Sequence, residues 1–334
     1  MRQSQWRRFL VLLIVIVAIV FKFLVPRRAM PGVNIDEARY TVNVERFHCE
    51  EDMEPSLCSA ARTLSSTFLA SKRDESLDVF LMDSKEETAA IFGRIVMYLK
   101  MYASLSLQHY LGWSKPSALG FLNIGHLYVA SENQFRELLS GSDKAVNLLD
   151  VGSGDGSKTE TLGKVLAADS VTCIENSSVL RKTIRSRGFH AVESFQEMSS
   201  TSLFSHATLL NVLDRCDDPG SLLRTAMEHL QSDGTLVIAT VLPFDAKVYE
   251  GRVGTKWGRA SSRMPRVSLD VTPTLLHSTF EESAAVFLEA VSRVHSGLKL
   301  VRWSRLPYVS SGDPRSTHYV LDMAIMVFRI WPFE

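Results

Sequence analysis

A short apolar strand that runs directly into a glycine-rich turn is the feature that most constrains this chain. Residues 147–151 are mostly apolar, and the turn after them reads Gly-Ser-Gly-Asp-Gly, with glycines at 152, 154 and 156. Glycine adopts positive φ at little cost and lets a ligand approach the backbone closely. The alternative is an ordinary tight strand-to-helix turn that binds no ligand. We predict an α/β domain that binds a nucleoside cofactor at the carboxyl end of this strand.

An acidic residue, Glu175, ends the next predicted strand at residues 170–175. A carboxylate at this place can accept hydrogen bonds from a ribose diol. A dinucleotide fingerprint would require glycine at position 157 and a helix N-terminus left open for pyrophosphate. Position 157 is serine, and Asp155 lies inside the turn. An acid is unfavourable beside a diphosphate but tolerable beside the positive sulfonium and ammonium of S-adenosylmethionine, which we therefore predict as the cofactor.

Composition limits the possible partners. The 334 residues are enough for one large domain or two modest ones, and a hydrophobic content of 46% is ample for a packed core. Because 37 basic and 37 acidic residues balance, no bulk field favours nucleic acid, and we expect no nucleic-acid partner. No cysteine–histidine cluster has the spacing of a metal site, so no metal is predicted.

The N-terminus carries an apolar run, residues 9–25, between basic flanks. No clean pair of small residues follows it, so within residues 1–30 a membrane anchor fits better than a cleaved signal peptide. We expect attachment to the endoplasmic reticulum or another endomembrane, with secretion or a mitochondrial location as alternatives. Cys49 and Cys58 could pair if their segment faces an oxidising lumen, but the sequence alone leaves this open.

The rest of the chain divides into a mainly helical region, residues 31–140, and a region of alternating strands and helices, residues 141–334. Helical spacing is clear at residues 87–102, and Ser131 can cap a helix that runs through Leu139. Strands are predicted at 146–151, 170–175, 189–192, 207–211, 235–240, 298–305 and 318–329. The last two form a terminal antiparallel pair, and this arrangement indicates a seven-stranded Rossmann-like sheet of the class I methyltransferase type.

Four motifs fall at the predicted mouth of this sheet. They read Leu-Asp-Val-Gly-Ser-Gly-Asp-Gly at 149–156, Asn-Val-Leu-Asp-Arg-Cys-Asp at 211–217, Val-Leu-Pro-Phe at 241–244 and Arg-Leu-Pro-Tyr at 305–308. Together they resemble the DREV family, also called methyltransferase-like protein nine. The resemblance extends over residues 127–330 and more weakly through the helical region. It implies a protein-histidine methyltransferase that modifies the pros nitrogen of histidine in His-x-His segments, so protein or peptide substrates with alternating histidines are the implied partners.

The resemblance also assigns cofactor residues. Carried over by motif, it implies that Asp150, Gly152 and Gly154 shape the cofactor turn and that Glu175 binds the ribose.

The predicted acceptor residues are Asn211, Asp214 and Tyr308, which fall where the family contacts the cofactor methionine or the target histidine. Methyl transfer to neutral imidazole requires alignment and the right tautomer, and a carboxylate that accepts the far N–H fixes that tautomer. Asp214 is the candidate for this role, with Tyr308 orienting the ring. The alternatives are a helix N-cap for Asp214 and a plain interface aromatic for Tyr308.

The chain departs from the family pattern in two places. His206 stands where many such enzymes have an acidic residue. The basic segment between residues 247 and 279 does not align with the family pattern. Substrate preference therefore stays open. A membrane-associated small-molecule or lipid methyltransferase is the enzymatic alternative. A non-catalytic binding module with the same fold is the other.

Overall fold

The computed structural model describes residues 35–47, 49, 53–89, 91–140, 146–199, 201–249, 262–271, 279–313 and 316–331. The predicted anchor, within residues 1–30, lies outside the described residues. In the part of the chain that is described, none of the helices is both long enough and apolar enough to cross a membrane.

The strands are β1 Leu127–Tyr128, β2 Asn147–Val151, β3 Ser170–Ile174, β4 His190–Val192, β5 Phe204–Leu210, β6 Leu230–Val241, β7 Val248–Tyr249, β8 Ser262–Arg263, β9 Leu298–Asp313 and β10 Ser316–Ile330. Eight of them form one sheet in the order β1-β9-β10-β6-β5-β2-β3-β4, and β7 pairs with β8 in a separate ribbon. Strands β2 to β6 run parallel, and β10 is antiparallel to both β6 and β9. The predicted Rossmann-like α/β fold is confirmed.

The predicted count of seven strands is wrong, because the main sheet has an eighth strand, β1. Leu127 and Tyr128 pair with Ser310 and Val309 near the distal end of β9. A strand of two residues is too short to show an alternating pattern, so its pairing depends on a partner almost two hundred positions away in the sequence. The long reach of β9, which continues to Asp313, provides the edge on which β1 adds.

The helices are α1 Pro55–Thr67, α2 Glu75–Ala89, α3 Ile91–Leu111, α4 Lys115–Phe121, α5 Glu132–Leu139, α6 Ser157–Leu166, α7 Ser178–Ser186, α8 Pro219–Glu228 and α9 Phe280–Val294. The helical stretch predicted at residues 87–102 falls on α2 and α3. Ser131 caps α5 as predicted, because its hydroxyl accepts from the Gln134 amide while the Gln134 side chain accepts from the Ser131 amide.

The sheet separates two hydrophobic cores. Alternate residues of β6 point to opposite faces, so Leu236 and Ile238 belong to the core under α8, α9 and α1, whereas Val237 and Ala239 belong to the core under α5 and α6. Both faces are covered, which explains why the central strands are apolar throughout.

Trp303 of β9 joins α1 to the sheet. It is fully buried, its indole N–H donates to the Leu64 carbonyl at 2.9 Å, and its own carbonyl accepts from the Leu69 amide at 2.8 Å. The Phe68 ring lies 5.1 Å from it, centroid to centroid, and the Phe47 ring 6.0 Å. Cys49 and Cys58 form a disulfide with a Cα–Cα distance of 5.2 Å, which ties the segment before α1 to its first turn.

Candidate active site

The glycine turn after β2 has the backbone that its sequence predicts. Gly152, Gly154 and Gly156 have φ values of 75°, 58° and 79°, which favour glycine. A Cβ placed on Gly152 would lie 2.6 Å from Cγ2 of Val212, whereas one on Gly154 would meet no atom within 4 Å. The turn is thus packed against the chain at Gly152 and open at Gly154.

Asp150 supports this turn from below. It is buried, Thr208 donates to its Oδ1 at 2.6 Å, and the Thr159 hydroxyl donates to its Oδ2. Its backbone carbonyl accepts from the Ser153 hydroxyl at 2.7 Å. Burial raises the pKa of Asp150 above its usual value, although these hydroxyls favour the charged form. Because both oxygens already have partners, Asp150 holds β2, β5 and α6 together under the turn.

Glu175 lies at the carboxyl end of β3 beside the open part of the turn. Its Oε2 accepts from the Gly154 amide at 3.0 Å, and its Oε1 accepts from the Ser177 amide at 2.8 Å. Burial raises its pKa, while the two amide bonds act in the opposite direction. A carboxylate has about four acceptor positions, so each oxygen still has capacity for a ligand hydroxyl.

The first turn of α6 tests which cofactor fits. The Asp155 carboxylate accepts from the Ser157 amide at 3.0 Å, and its backbone carbonyl accepts from Arg187 at 2.9 Å. One of the amides that would otherwise bind phosphate is therefore already occupied by an acid. A diphosphate fits this arrangement poorly. A ribose beside Glu175 and a positively charged methionine group near the turn fit it well.

Lys158 was not singled out by sequence reasoning. Its ammonium lies 5.7 Å from the centre of the Tyr128 ring, and burial lowers its pKa, with Asp155 acting in the opposite direction. Its place directly after the glycine turn, in Gly-Ser-Lys, was the available signal. We call residues 150–156 and Glu175 the cofactor edge of the site.

Asn211 follows β5 and carries the first of two unpartnered oxygens. Its φ is 52°, a conformation that Asn tolerates better than most residues, and its side chain is only 6% exposed. Its Nδ2 lies 3.4 Å from the sulfur of Met323, but within the described residues its Oδ1 has no hydrogen-bond partner. A buried amide oxygen without a partner is costly, and a ligand donor would relieve that cost.

Asp214 provides the second unpartnered oxygen. It lies in a 3₁₀ turn, residues Leu213–Arg215, where its Oδ2 is 3.5 Å from Nε of Arg215 and its Oδ1 is buried with no partner in the described part of the chain. Burial raises its pKa, and Arg215 acts in the opposite direction. The helix-cap alternative is wrong, because Asp218 caps α8 by accepting from the Ser221 amide at 2.8 Å.

Arg215 contacts both Tyr308 and Asp214 and so links them. The buried Tyr308 hydroxyl accepts from Nη2 of Arg215 at 3.1 Å, and the guanidinium carbon lies 5.9 Å from the ring centre. The structure thus brings Tyr308 of β9 and Asp214, which follows β5, to Arg215, a residue for which the sequence predicts no role. We call Asn211, Asp214, Arg215 and Tyr308 the acceptor edge.

The basic segment that does not align shows part of its structure. Arg263 of β8 pairs with Asp217 through both guanidinium nitrogens, and Arg266 lies 3.9 Å from the same carboxylate. Three further basic residues of this segment, Arg252, Lys256 and Arg259, lie outside the described residues.

One similar solved structure is the [4+2]-cyclase SpnF, with 16% identity, coverage of 71% of this chain and 96% of that chain, and a TM-score of 0.42. Another is the 1,6-didemethyltoxoflavin-N1-methyltransferase of Burkholderia thailandensis with bound S-adenosylhomocysteine, with 16% identity, coverage of 61% and 79%, and a TM-score of 0.38. Similarities of this size do not bear on the activity of this chain.

The sequence pattern of the DREV methyltransferase family matches residues 52–330, which is most of the chain and includes both edges of the site. The chain therefore belongs to the DREV methyltransferase family and uses S-adenosylmethionine as its methyl donor.

Proposed function

We propose that this protein methylates the pros nitrogen of histidine in His-x-His segments of protein substrates. The observation that carries the proposal is the buried, unpartnered Oδ1 of Asp214, held beside the Arg215–Tyr308 pair. An ionised carboxylate can only accept hydrogen bonds, so it suits the N–H of a neutral imidazole. Accepting that N–H leaves the lone pair of the other ring nitrogen for methyl transfer.

Charge in the acceptor edge supports this role. Burial raises the pKa of Asp214 and disfavours its charged form, and the Arg215 guanidinium reduces that cost. Arg215 also fixes the Tyr308 hydroxyl at 3.1 Å, which positions the aromatic ring relative to the carboxylate. The pair thus provides a fixed acceptor and a flat apolar surface, as required to hold an imidazole in one orientation.

S-adenosylmethionine supplies an electrophilic methyl group on a positive sulfur. Glu175 would hold the ribose hydroxyls, and the open face at Gly154 would admit the cofactor close to the backbone. We assign Lys158 to the methionine carboxylate, because its ammonium is partly buried beside the turn with an aromatic ring as its neighbour. The unpartnered Oδ1 of Asn211 would accept from the methionine ammonium.

A labelled-methyl assay tests the function. Full-length protein is incubated with labelled S-adenosylmethionine and a peptide containing alternating histidines, and the methylated atom is identified by mass spectrometry and NMR. We expect pros-methylhistidine. We expect Asp214→Asn to lower the rate by about 10³-fold with cofactor affinity nearly unchanged, because the amide can present N–H to the ring and select the wrong orientation.

The controls separate mechanism from substrate. Asp218→Asn changes a carboxylate in the same segment that caps a helix, so it should retain activity while losing a little stability. A fully active Asp214→Asn would refute the tautomer mechanism. Methyl groups found only on lysine, arginine, a carboxylate or a small amphiphile would refute the histidine assignment.

We further propose that residues 9–25 attach the protein to the endoplasmic reticulum or another endomembrane, with the folded region on the oxidising side. The Cys49–Cys58 disulfide supports this placement, since disulfides persist in such compartments. Recovery of the intact full-length chain in the soluble fraction after carbonate extraction would refute the anchor.

A further inference from the structure

Helix α3, Ile91–Leu111, has an unusual distribution of polarity. Its buried side carries Met97 together with two polar residues, Ser104 and Gln108, whose side chains bond to each other at 3.1 Å. Its outward side carries Phe92 and Tyr110, 75% and 71% exposed, with the exposed Leu99 between them. A helix on the surface of a soluble domain normally shows the reverse arrangement. The outward side of α3 is therefore a surface without a partner within the described chain.

The exposed residues form one face. Positions 92, 99, 102, 106 and 110 fall within about 80° of each other on a helix of 3.6 residues per turn. The described side chains of this face include no lysine, arginine or acid. Neighbouring helices extend it, because Met82 of α2 and Phe121 of α4 are also exposed, and Phe121 contacts Trp113 with ring centroids 5.2 Å apart. We call the exposed side chains of Phe92, Leu99, Tyr102, Tyr110 and Phe121 the α3 face.

Within residues 91–131 the charged side chains have one sign. The chain has 37 acidic residues, yet none occurs from residue 91 to residue 131, where Arg94, Lys100 and Lys115 occur. An apolar face rich in aromatic residues, in a segment that carries basic but no acidic residues, matches the interface of a bilayer.

Chain length also favours a membrane over another protein. Ten residues, Pro26 to Ile35, join the apolar run to the described fold, and they can extend over at most about 35 Å. The Ile35 carbonyl accepts from Arg73 at 3.1 Å, immediately before α2, which packs beside α3. If residues 9–25 lie in a bilayer, the α2–α3 pair is kept close to its surface.

We propose that the α3 face lies in the membrane interface as a second, peripheral contact besides the N-terminal anchor. The contact also orients the site, because α4 is fixed to the cofactor edge. Ser117 of α4 donates to Ser177 at 2.8 Å, and the Ser177 amide donates to Glu175. This proposal rests on the proposed attachment of residues 9–25 only for proximity, so the two can fail separately.

Photo-crosslinking tests it on the full-length protein. Phe92 or Tyr110 is replaced by benzoylphenylalanine, and the protein is reconstituted in vesicles of phosphatidylcholine. The matched control is the same replacement at Lys182, an exposed position on α7. We expect lipid adducts at Phe92 and Tyr110 at least about tenfold above those at Lys182, and loss of most Tyr110 adducts on Leu99→Glu. Cofactor binding by calorimetry verifies that each variant is folded.

Each outcome either supports or overturns the proposal for the α3 face. Adducts to a second copy of the chain in place of lipid would show a protein interface and overturn the proposal, as would adduct yields no higher than at Lys182. A chain that resists carbonate extraction but gives no lipid adduct refutes the α3 face alone. A chain that carbonate releases but that still gives adducts refutes the anchor and supports the α3 face. Neither result alters the methyl-transfer assay, which needs no membrane.

Discussion

At the cofactor edge, the carboxylates of Asp150 and Glu175 accept hydrogen bonds from Thr159, Thr208 and two backbone amides. At the acceptor edge, Asn211 and Asp214 each keep a buried oxygen with no partner among the described residues. Asp150, Glu175, Asn211 and Asp214 all lie at the carboxyl ends of parallel strands, so position in the sheet does not explain the contrast. The cofactor edge stabilises its own shape, whereas the acceptor edge leaves acceptors without partners among the described residues that a bound ligand would satisfy.

The contrast predicts which property each substitution should change, stability in one case and binding or rate in the other. A buried polar group that has partners contributes to folding, and its loss appears as lost stability or a distorted turn. A buried polar group without partners costs folding free energy, and its removal should appear in binding or rate instead. Three substitutions test this contrast between the two edges.

The largest of these three effects is expected from Gly152→Ala. Its Cβ would lie 2.6 Å from Cγ2 of Val212 at a φ of 75°, so the turn must shift. We expect cofactor affinity to fall by about 100-fold, measured by calorimetry. Gly188→Ala is the matched control, because Gly188 also has a positive φ, 89°, and open space around a new Cβ but lies outside both edges of the site, and it should lose less than about fivefold. Equal losses in both variants would mean that the effect comes from a general loss of stability and not from packing of the turn on Val212.

The next effect lies at the far end of β5, where His206 is buried like Asn211 but distant from the mouth. Burial lowers the pKa of His206 from 6.5 to about 4, so the folded state disfavours its protonation. The neutral His206 side chain therefore adds to the free energy of unfolding above pH 6.5, and this contribution is lost as the pH falls toward 4. We expect the wild type to lose about 2 kcal/mol more unfolding free energy than His206→Gln between neutral pH and about pH 5. Denaturant titrations measure it, and parallel curves for the two proteins would contradict it.

The smallest effect is expected from Tyr308→Phe, which removes the hydroxyl that accepts from Arg215 at 3.1 Å. Methyl transfer should fall by about tenfold while cofactor affinity stays unchanged, because the lost bond belongs to the acceptor edge. Tyr128→Phe removes a comparable buried bond, 3.0 Å from the Ser76 hydroxyl, and should reduce stability but not rate. If both variants lost rate equally, the two edges would not be separable in this way.

The cofactor edge could be predicted from sequence because its chemistry is local. A glycine turn after an apolar strand and an acid at the end of the next strand lie within thirty residues, and their combination is characteristic of nucleoside-binding sites. The end of the fourth predicted strand places Asn211 and Asp214 at the mouth of the sheet, but only the family resemblance favours a functional role for them, because an isolated Asn or Asp after a strand is common. The contact of Gly152 with Val212, and of Arg215 with Tyr308, joins distant segments, and no local pattern encodes such contacts.

Strand β1 and the α3 face were missed for opposite reasons. Two residues are too few for a strand pattern, so β1 exists only because β9 extends far enough to pair with it. The apolar residues of α3 gave a clear helical pattern, but periodicity does not show which side faces the sheet. The buried Ser104 and Gln108 reverse the usual orientation, and only the packing of α3 shows this.

The position of Trp303 gives the fold a built-in optical reporter. Of the five tryptophans in the chain, Trp303 is fully buried among aromatic rings, while Trp331 is largely exposed. An indole in an apolar cage emits at shorter wavelength than one in water, and its N–H bond to Leu64 restrains its rotation. Detachment of α1 from the sheet would therefore shift the emission of Trp303 to the red and weaken its near-ultraviolet dichroism, even if every strand of the sheet stayed paired.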